Sequence, residues 1–489
     1  FGSSHLASSS KQPCATACGP KAQAPRRSLG VAALEIMGEV APGVGITGTT
    51  SDRPLVEPEC PPSRRRGCRG ALSVLGPGLM VCFADTDGPC LLTAAQSGAS
   101  WGYRLLLLQL VMIPILFCAQ ELTVRLGLLK GRGIVGLLKD ELGPLCAWLV
   151  GVPLLVACVM GLLSEYSVIG QTMKFWSWPV WLTNTCVTTL LLGLALSGSY
   201  HVAEKVGLAM GLCQVVFLGT MFAARPEGKE VLHDMGRFPL EKSDFVKLVT
   251  ANIGAVIMPW MLAYQQSAVC QKGLSEHGVE DLALERLDTG LGSVLTQAVM
   301  AAMLVTVAAA IRPGEAVDTV DDLEKIFARV LGGNSNAKVL LTFAIIGACL
   351  VAAIVQTLCA AWICEEALGG RRAPAAPREQ RPARPGCAEL VCRNVCGRPL
   401  FHAAYLLICA GAFLFTVLTE NAVDVSVVTE FVNGVLMPPV IFALWYLSAY
   451  KLPAEHRLGF CYRWLLFAVF AVCSAFCLGS IFFSFQGDS

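Results

Sequence analysis

Five acidic side chains stand in, or at the ends of, runs of apolar residues. Asp85 and Asp87 lie in Phe83-Ala84-Asp85-Thr86-Asp87-Gly88-Pro89-Cys90. An ionised carboxylate at the depth of a bilayer is expensive and normally marks an ion path. The Gly88-Pro89 pair beside them interrupts a helix and frees backbone groups, which is tolerated only where they face protein or a water-filled cavity. Two residues apart on a regular helix, Asp85 and Asp87 cannot both point the same way. Each reads either as part of an ion path or as the cap of a half-helix near an interface. A second interruption comes at Gly254-Ala255-Val256-Ile257-Met258-Pro259-Trp260. Pro259 has no N–H, so the carbonyl of Ala255, four residues back, loses its helical donor. The Met258 thioether is a soft ligand that suits transition ions better than Mg²⁺ or Ca²⁺. A methionine in an apolar helix is ordinarily core packing; its place beside the second break is what raises the ligand reading.

Three more acids need an account. Glu430 lies in Thr429-Glu430-Phe431-Val432-Asn433, eight residues before Pro438, either as a ligand or as a satisfied carboxylate near a span end. Asn433, one turn on, is a candidate path residue. Glu165, in Gly161-Leu162-Leu163-Ser164-Glu165-Tyr166-Ser167, fits an ion path or a structural hydrogen bond equally well. Glu121 is expected at the end of its span as a gate or anchor, the bland alternative being an i,i+4 pair with Arg125.

These residues need membrane-spanning helices to hold them. The chain has 489 residues, 54% hydrophobic and 15% charged, with a mean hydropathy of +0.60. Soluble domains average about 25% charged, and a water-soluble globule of this size could not hide so much apolar surface. A net charge of +1 leaves no basic excess for nucleic acid. Eleven apolar spans near bilayer length are expected at roughly 73–97, 102–122, 143–172, 178–198, 204–224, 248–269, 290–311, 337–366, 401–419, 424–449 and 460–484. The two breaks fall in spans 1 and 6. Two sets of five spans, each opening on a broken helix, are the sign of an inverted repeat. The first repeat is expected at 71–224, the second at 248–449, with 460–484 as an extra helix.

Residues 1–70 are rich in Ser, Pro, Gly and Arg and read as a disordered tail with no signal-peptide pattern. Residue 1 is Phe, so the start is expected to be truncated or processed. Loops after even-numbered spans, with the span ends beside them, carry 17 Lys and Arg against 11 on the opposite side. That bias predicts a cytoplasmic N-terminus and a C-terminus on the opposite side. Ten of the 22 cysteines, among them Cys82, Cys90, Cys349 and Cys359, fall in apolar runs and read as small hydrophobes. Cys387, Cys392 and Cys396 share one polar loop, but spacings of five and four do not match CxxC-type zinc ligands. A membrane enzyme would need clustered ligands or a nucleophile with its base. The six His, at 5, 201, 233, 277, 402 and 456, are scattered, so no enzyme is expected.

From about Gly76 to the end of span 11 the chain resembles the NRAMP family of divalent metal transporters, in a divergent, NRAMP-related form. The resemblance is carried by Gly76-Pro77-Gly78 with Asp87 nine residues beyond Gly78, Trp101-Gly102-Tyr103, Arg125-Leu126-Gly127 with Gly131, and Gly254-Ala255-Val256-Ile257-Met258-Pro259. It implies an all-α polytopic membrane protein of the LeuT-type 5+5 inverted repeat, with broken helices 1 and 6. It also implies a metal site of Asp87, the Ala255 carbonyl and Met258. The family's Asp-Pro-Gly-Asn motif reads Asp87-Gly88-Pro89-Cys90 here, so Pro and Gly are exchanged and the Asn ligand becomes Cys90. The tenth-helix Gln of the family matches Glu430. Ser164 and Ser167 stand where the family's third-helix acids carry protons, and Trp260 stands where its sixth helix has His. Proton coupling of the usual kind is therefore not expected.

Asp87 and Glu430 together supply the two negative charges that neutralise one divalent ion, and Met258 and Cys90 add softness. The expected function is transport of transition ions such as Mn²⁺ or Fe²⁺ by alternating access. A Mg²⁺ transporter of the NRAMP-related type and a non-transporting metal-binding homologue are the alternatives. The metal is substrate and no cofactor is expected. The partners are the ion and the lipid bilayer, and the protein is expected to work as a monomer.

Overall fold

A computed structural model describes residues 77–197, 200–271, 279–312, 315–368, 397–417 and 422–486. The expected tail at 1–70 and the loop cysteines Cys387, Cys392 and Cys396 lie outside the described residues.

Among the described residues the regular elements are helices. The first apolar run is split into α1 (Pro77–Asp85) and α2 (Gly88–Trp101), separated by Thr86 and Asp87. Then come α3 (Leu106–Lys130), α4 (Ile134–Leu142), α5 (Pro144–Met173) and α6 (Val180–Ser197). The fifth run is α7 (Tyr200–Gly211) and α8 (Val216–Ala224), joined by a 3₁₀ turn at Leu212–Val215. A short α9 (Gly228–Asp234) precedes the second broken run, α10 (Ser243–Val256) and α11 (Pro259–Gln271). The remainder is α12 (Val279–Ala310), α13 (Val320–Leu331), α14 (Asn334–Ala367), α15 (Pro399–Val417), α16 (Ala422–Tyr446) and α17 (Phe460–Gln486).

Ten of these helical runs are long and apolar enough to cross a membrane. The expected span 1 is not among them. The two broken runs occupy the centre. The stretch Ser243–Gln271 is 94% buried over its most apolar window, against 28% for Val180–Ser197 and 33% for Phe460–Ile481 at the periphery. Large exposed apolar side chains include Leu407 on α15 at 73%, Val472 on α17 at 69% and Trp181 on α6 at 57%. That is the pattern of a surface solvated by lipid.

Several helices outrun the expected spans. α3 continues to Lys130 and α12 begins at Val279, so Arg125, Lys130 and Arg286, counted above as loop charges, belong to helices. A helix can carry polar turns beyond the hydrocarbon layer, which an apolarity window does not see. Glu121 lies within α3, by the end of the expected span 102–122.

Candidate metal site

The first break is built by Asp87. Its backbone is extended (φ −69°, ψ 176°) and it caps α2, with Oδ1 accepting from the Cys90 amide at 2.8 Å. Pro89 fits the first turn of α2, where its missing N–H costs nothing. Across the break, Thr86 bonds the Gln214 side chain, and Gln214 Nε2 donates to the Phe83 carbonyl at 2.7 Å. Gln214 therefore satisfies a carbonyl that the interruption exposes. Sequence reasoning passed over it, although a glutamine within Leu212-Cys213-Gln214-Val215 was a visible signal.

The second break ends α10 at Val256 and restarts at Pro259. As the proline argument requires, the Ala255 carbonyl is free to turn sideways, and it accepts from Cys90 Sγ at 3.3 Å. Gly254 lets α16 come close: a Cβ there would overlap the Glu430 carbonyl and lie 2.6 Å from the Gly434 amide. The missing Cβ sets the distance between the second break and the Glu430 side chain.

These contacts bring Asp87, Cys90 and Glu430 together, with one ligand atom from each within 4.8 Å of the others. The three are 1%, 0% and 1% exposed. Cys90 thus faces both the Ala255 carbonyl and the two carboxylates. Met258 is fully buried at the second break. Asn433 Nδ2 donates to Glu430 Oε2 at 3.0 Å and orients that carboxylate. Glu165 lies against Asp87, and Gln356 Nε2 reaches Glu165 Oε1 at 3.5 Å. Asp85 is buried with neither carboxylate oxygen hydrogen-bonded. Asp87 Oδ2 and Glu165 Oε2 are also buried without a donor. Among the described residues, none of these four acids is in an ion pair. A group of buried, unpaired acceptor oxygens is what a cation requires and what a dry core forbids.

Ser164 Oγ shares a hydrogen bond with Ser426 Oγ at 3.1 Å and so joins α5 to α16. Polar and aromatic contacts tie the flanking helices together. Beyond α2, Trp101 packs edge-on against Phe245 at 5.1 Å, and Asn252 bridges Gln109 (2.7 Å) and Ser97 (2.8 Å). Beyond α1, Glu121 accepts from both Arg125 and Arg286 at 2.6 Å, and Arg125 also donates to the His456 carbonyl at 2.9 Å. The expected i,i+4 pair is present, and Arg286 extends it into a clasp between α3 and α12. Gly78, near the start of α1, donates its amide to Asp288 on the same α12 at 2.8 Å.

The family model described as natural resistance-associated macrophage protein-like matches residues 78–482. The chain belongs to the Nramp family. Metal transporter Nramp6.1 of Populus trichocarpa is 28% identical to it over 242 residues, 47% of this chain and 43% of that protein. Divalent metal cation transporter MntH of Pectobacterium carotovorum subsp. carotovorum is 24% identical over 293 residues, 59% of this chain and 70% of that one. The chain matches less than half the length of the plant Nramp relatives. A mutant of the Eremococcus coleocola manganese transporter shares the fold, with a TM-score of 0.64 at 15% identity, covering 86% of this chain and 88% of that one. The Nramp resemblance, the all-α membrane fold and the multi-pass character expected from the sequence agree with these likenesses.

Proposed function

We propose that this Nramp-family chain carries divalent metal ions across a membrane by alternating access. The ion is held between the two breaks by Asp87, Cys90, the Ala255 carbonyl, Met258 and Glu430. The observation that carries the reading is the convergence of Asp87, Cys90 and Glu430 within 4.8 Å, beside the carbonyl that Pro259 frees. Asp87 and Glu430 neutralise the charge of the ion. The thiol and thioether favour a transition ion, Mn²⁺ or Fe²⁺, over hard Mg²⁺, which keeps its waters and prefers a roomy oxygen site.

Burial of the site supports an occluded state, from which the ion leaves only if one end opens. The Glu121–Arg125–Arg286 clasp is the gate on the cytoplasmic side in the orientation with the N-terminus inside. The Trp101–Phe245 contact closes the other. The protein works as a monomer, with the five-plus-five repeat relating the two broken runs. Ser164 and Ser167 offer no titrating group and Trp260 is not a base, so metal flux does not acidify the vesicle interior. Acidification would transfer a proton role to Glu165 or Glu430.

The test is uptake into proteoliposomes with Mn²⁺, Fe²⁺, Cd²⁺, Mg²⁺ and Ca²⁺ in competition. Mn²⁺, Fe²⁺ and Cd²⁺ should displace one another and Mg²⁺ should not. Preferential Mg²⁺ uptake would overturn the ion assignment, and binding without flux would overturn transport.

A further inference from the structure

Gln214 is fully buried in the fifth apolar run, where a side-chain amide costs free energy unless its ends are bonded. Both ends are. Its Oε1 accepts from the Thr86 hydroxyl, and its Nε2 donates to the Phe83 carbonyl at 2.7 Å. In an unbroken helix that carbonyl would take the amide of Asp87, four residues on. The chain leaves α1 at Asp85 and is extended at Asp87, and Gln214 supplies a donor from outside. Thr86 Oγ1 also reaches the Cys82 carbonyl at 3.3 Å. The last turn of α1 is thus closed by a residue of another helical run, one position before Asp87.

The close approach is built into the backbone. Gly207 and Gly211 on α7 lead to Gln214 as Met80 and Phe83 on α1 lead to Thr86. A Cβ at Gly207 would overlap the Met80 side chain, and one at Gly211 would overlap Phe83. The pairs Gly207–Met80, Gly211–Phe83 and Gln214–Thr86 therefore run in register along the two helices. On the other side α14 backs the same run: a Cβ at Gly347 would lie 2.5 Å from the Met210 carbonyl. The turn that carries Gln214, Leu212–Val215, is 3₁₀ rather than α. A 3₁₀ stretch inside a longer helix often marks a functional hinge.

We propose that Gln214 is the positioning residue for Asp87. From the turn between α7 and α8 it fixes the end of α1, and so sets where the Asp87 carboxylate stands relative to Cys90 and Glu430. This role rests on the transport reading above. With both ends of its amide engaged, Gln214 offers the ion no donor atom of its own. It acts by placing a carboxylate, so its loss weakens binding of different divalent ions alike. Cys90 differs, because its sulfur discriminates between soft and hard ions.

The experiment measures Mn²⁺ and Cd²⁺ uptake by proteoliposomes carrying the parent, Gln214→Met or Thr86→Val, with the thermal unfolding midpoint of each in detergent. Each substitution keeps the side chain close in size and removes one partner of the same hydrogen bond, so one covers a folding failure of the other. Loss of an outer-shell partner costs a metal site about tenfold or more in affinity, so each variant should raise the KM for both ions about tenfold and leave their ratio unchanged. Fewer folded molecules would lower the maximal rate and leave KM alone. An unchanged KM beside a lowered midpoint would therefore overturn the positioning role and leave the transport reading standing. A KM that rises for one ion only would make Gln214 a ligand and overturn the role as well. A parent that moves neither ion would bring down both.

Discussion

The Cys90 thiol donates to the Ala255 carbonyl at 3.3 Å, so two metal-ligand candidates touch across the two broken runs. The thiol spans the space an ion would occupy. In the proposed site, an ion bound there would take Cys90 Sγ and the Ala255 oxygen as ligands in place of their direct link.

Cys90 should therefore set ion preference more than fold. Cys90→Asn keeps the backbone amide that caps on Asp87 and replaces sulfur with oxygen. The KM for Cd²⁺ should rise about tenfold relative to that for Mn²⁺. Uptake kinetics of both ions on one preparation check this, and an unchanged ratio would remove Cys90 from the site.

Gly88→Ala should destabilise the protein, because the added methyl meets the Cys349 sulfur. Overpacking of this kind costs about 1–3 kcal/mol. Adding Cys349→Ala to it should return most of that loss. Thermal unfolding of the two single variants and the double variant gives the coupling, and simple additivity would mean the contact is not there.

Much of this was legible beforehand. The breaks at Asp87-Gly88-Pro89 and Met258-Pro259 stood out because Gly, Pro and acids are conspicuous in apolar runs, and α5, α14 and α17 begin and end within a few residues of the expected spans. Cys349 was not legible: a thiol in Gly347-Ala348-Cys349-Leu350 has the same pattern as any small apolar residue, and only the third dimension places it on Gly88. Arg286 was misread as a loop charge because its helix extends a polar turn past the apolar window. Asp85 was recognised as anomalous, and the structure leaves it buried with both oxygens unbonded.

The Glu121 clasp predicts a gating phenotype. Glu121 is 3% exposed, while the Arg125 side chain is 11% and the Arg286 side chain 41% exposed. Glu121→Gln should cost about 2 kcal/mol, less than the ~3–5 of a fully buried pair, because Arg286 can reach water. Faster amide exchange in α3 and α12 at that end, with exchange in α10 unchanged, is the expected readout. Uniform faster exchange would indicate global destabilisation rather than a loosened gate.

A pH response is expected outside the membrane. Glu315 is held below the usual glutamate range, first by the Arg312 amide and then by the Arg329 guanidinium, which donates to Oε2 at 2.6 Å. A carboxylate with a lowered folded pKa contributes stability that is complete above its unfolded value and is lost as pH falls through the folded one. The link between this loop and α13 should therefore persist at pH ~4.3, the ordinary glutamate value, and release only in stronger acid. Exchange of the amides of Val317 and Val320 across that range measures it, and release at or above the ordinary value would contradict the bonding described.

The central claim is that Asp87 holds the transported ion. Mn²⁺ uptake by proteoliposomes carrying Asp87→Ala, set beside the parent at equal reconstitution, tests it most directly. The account predicts uptake no faster than empty vesicles while the parent remains active. An Asp87→Ala protein that accumulates Mn²⁺ and Cd²⁺ as fast as the parent would contradict it.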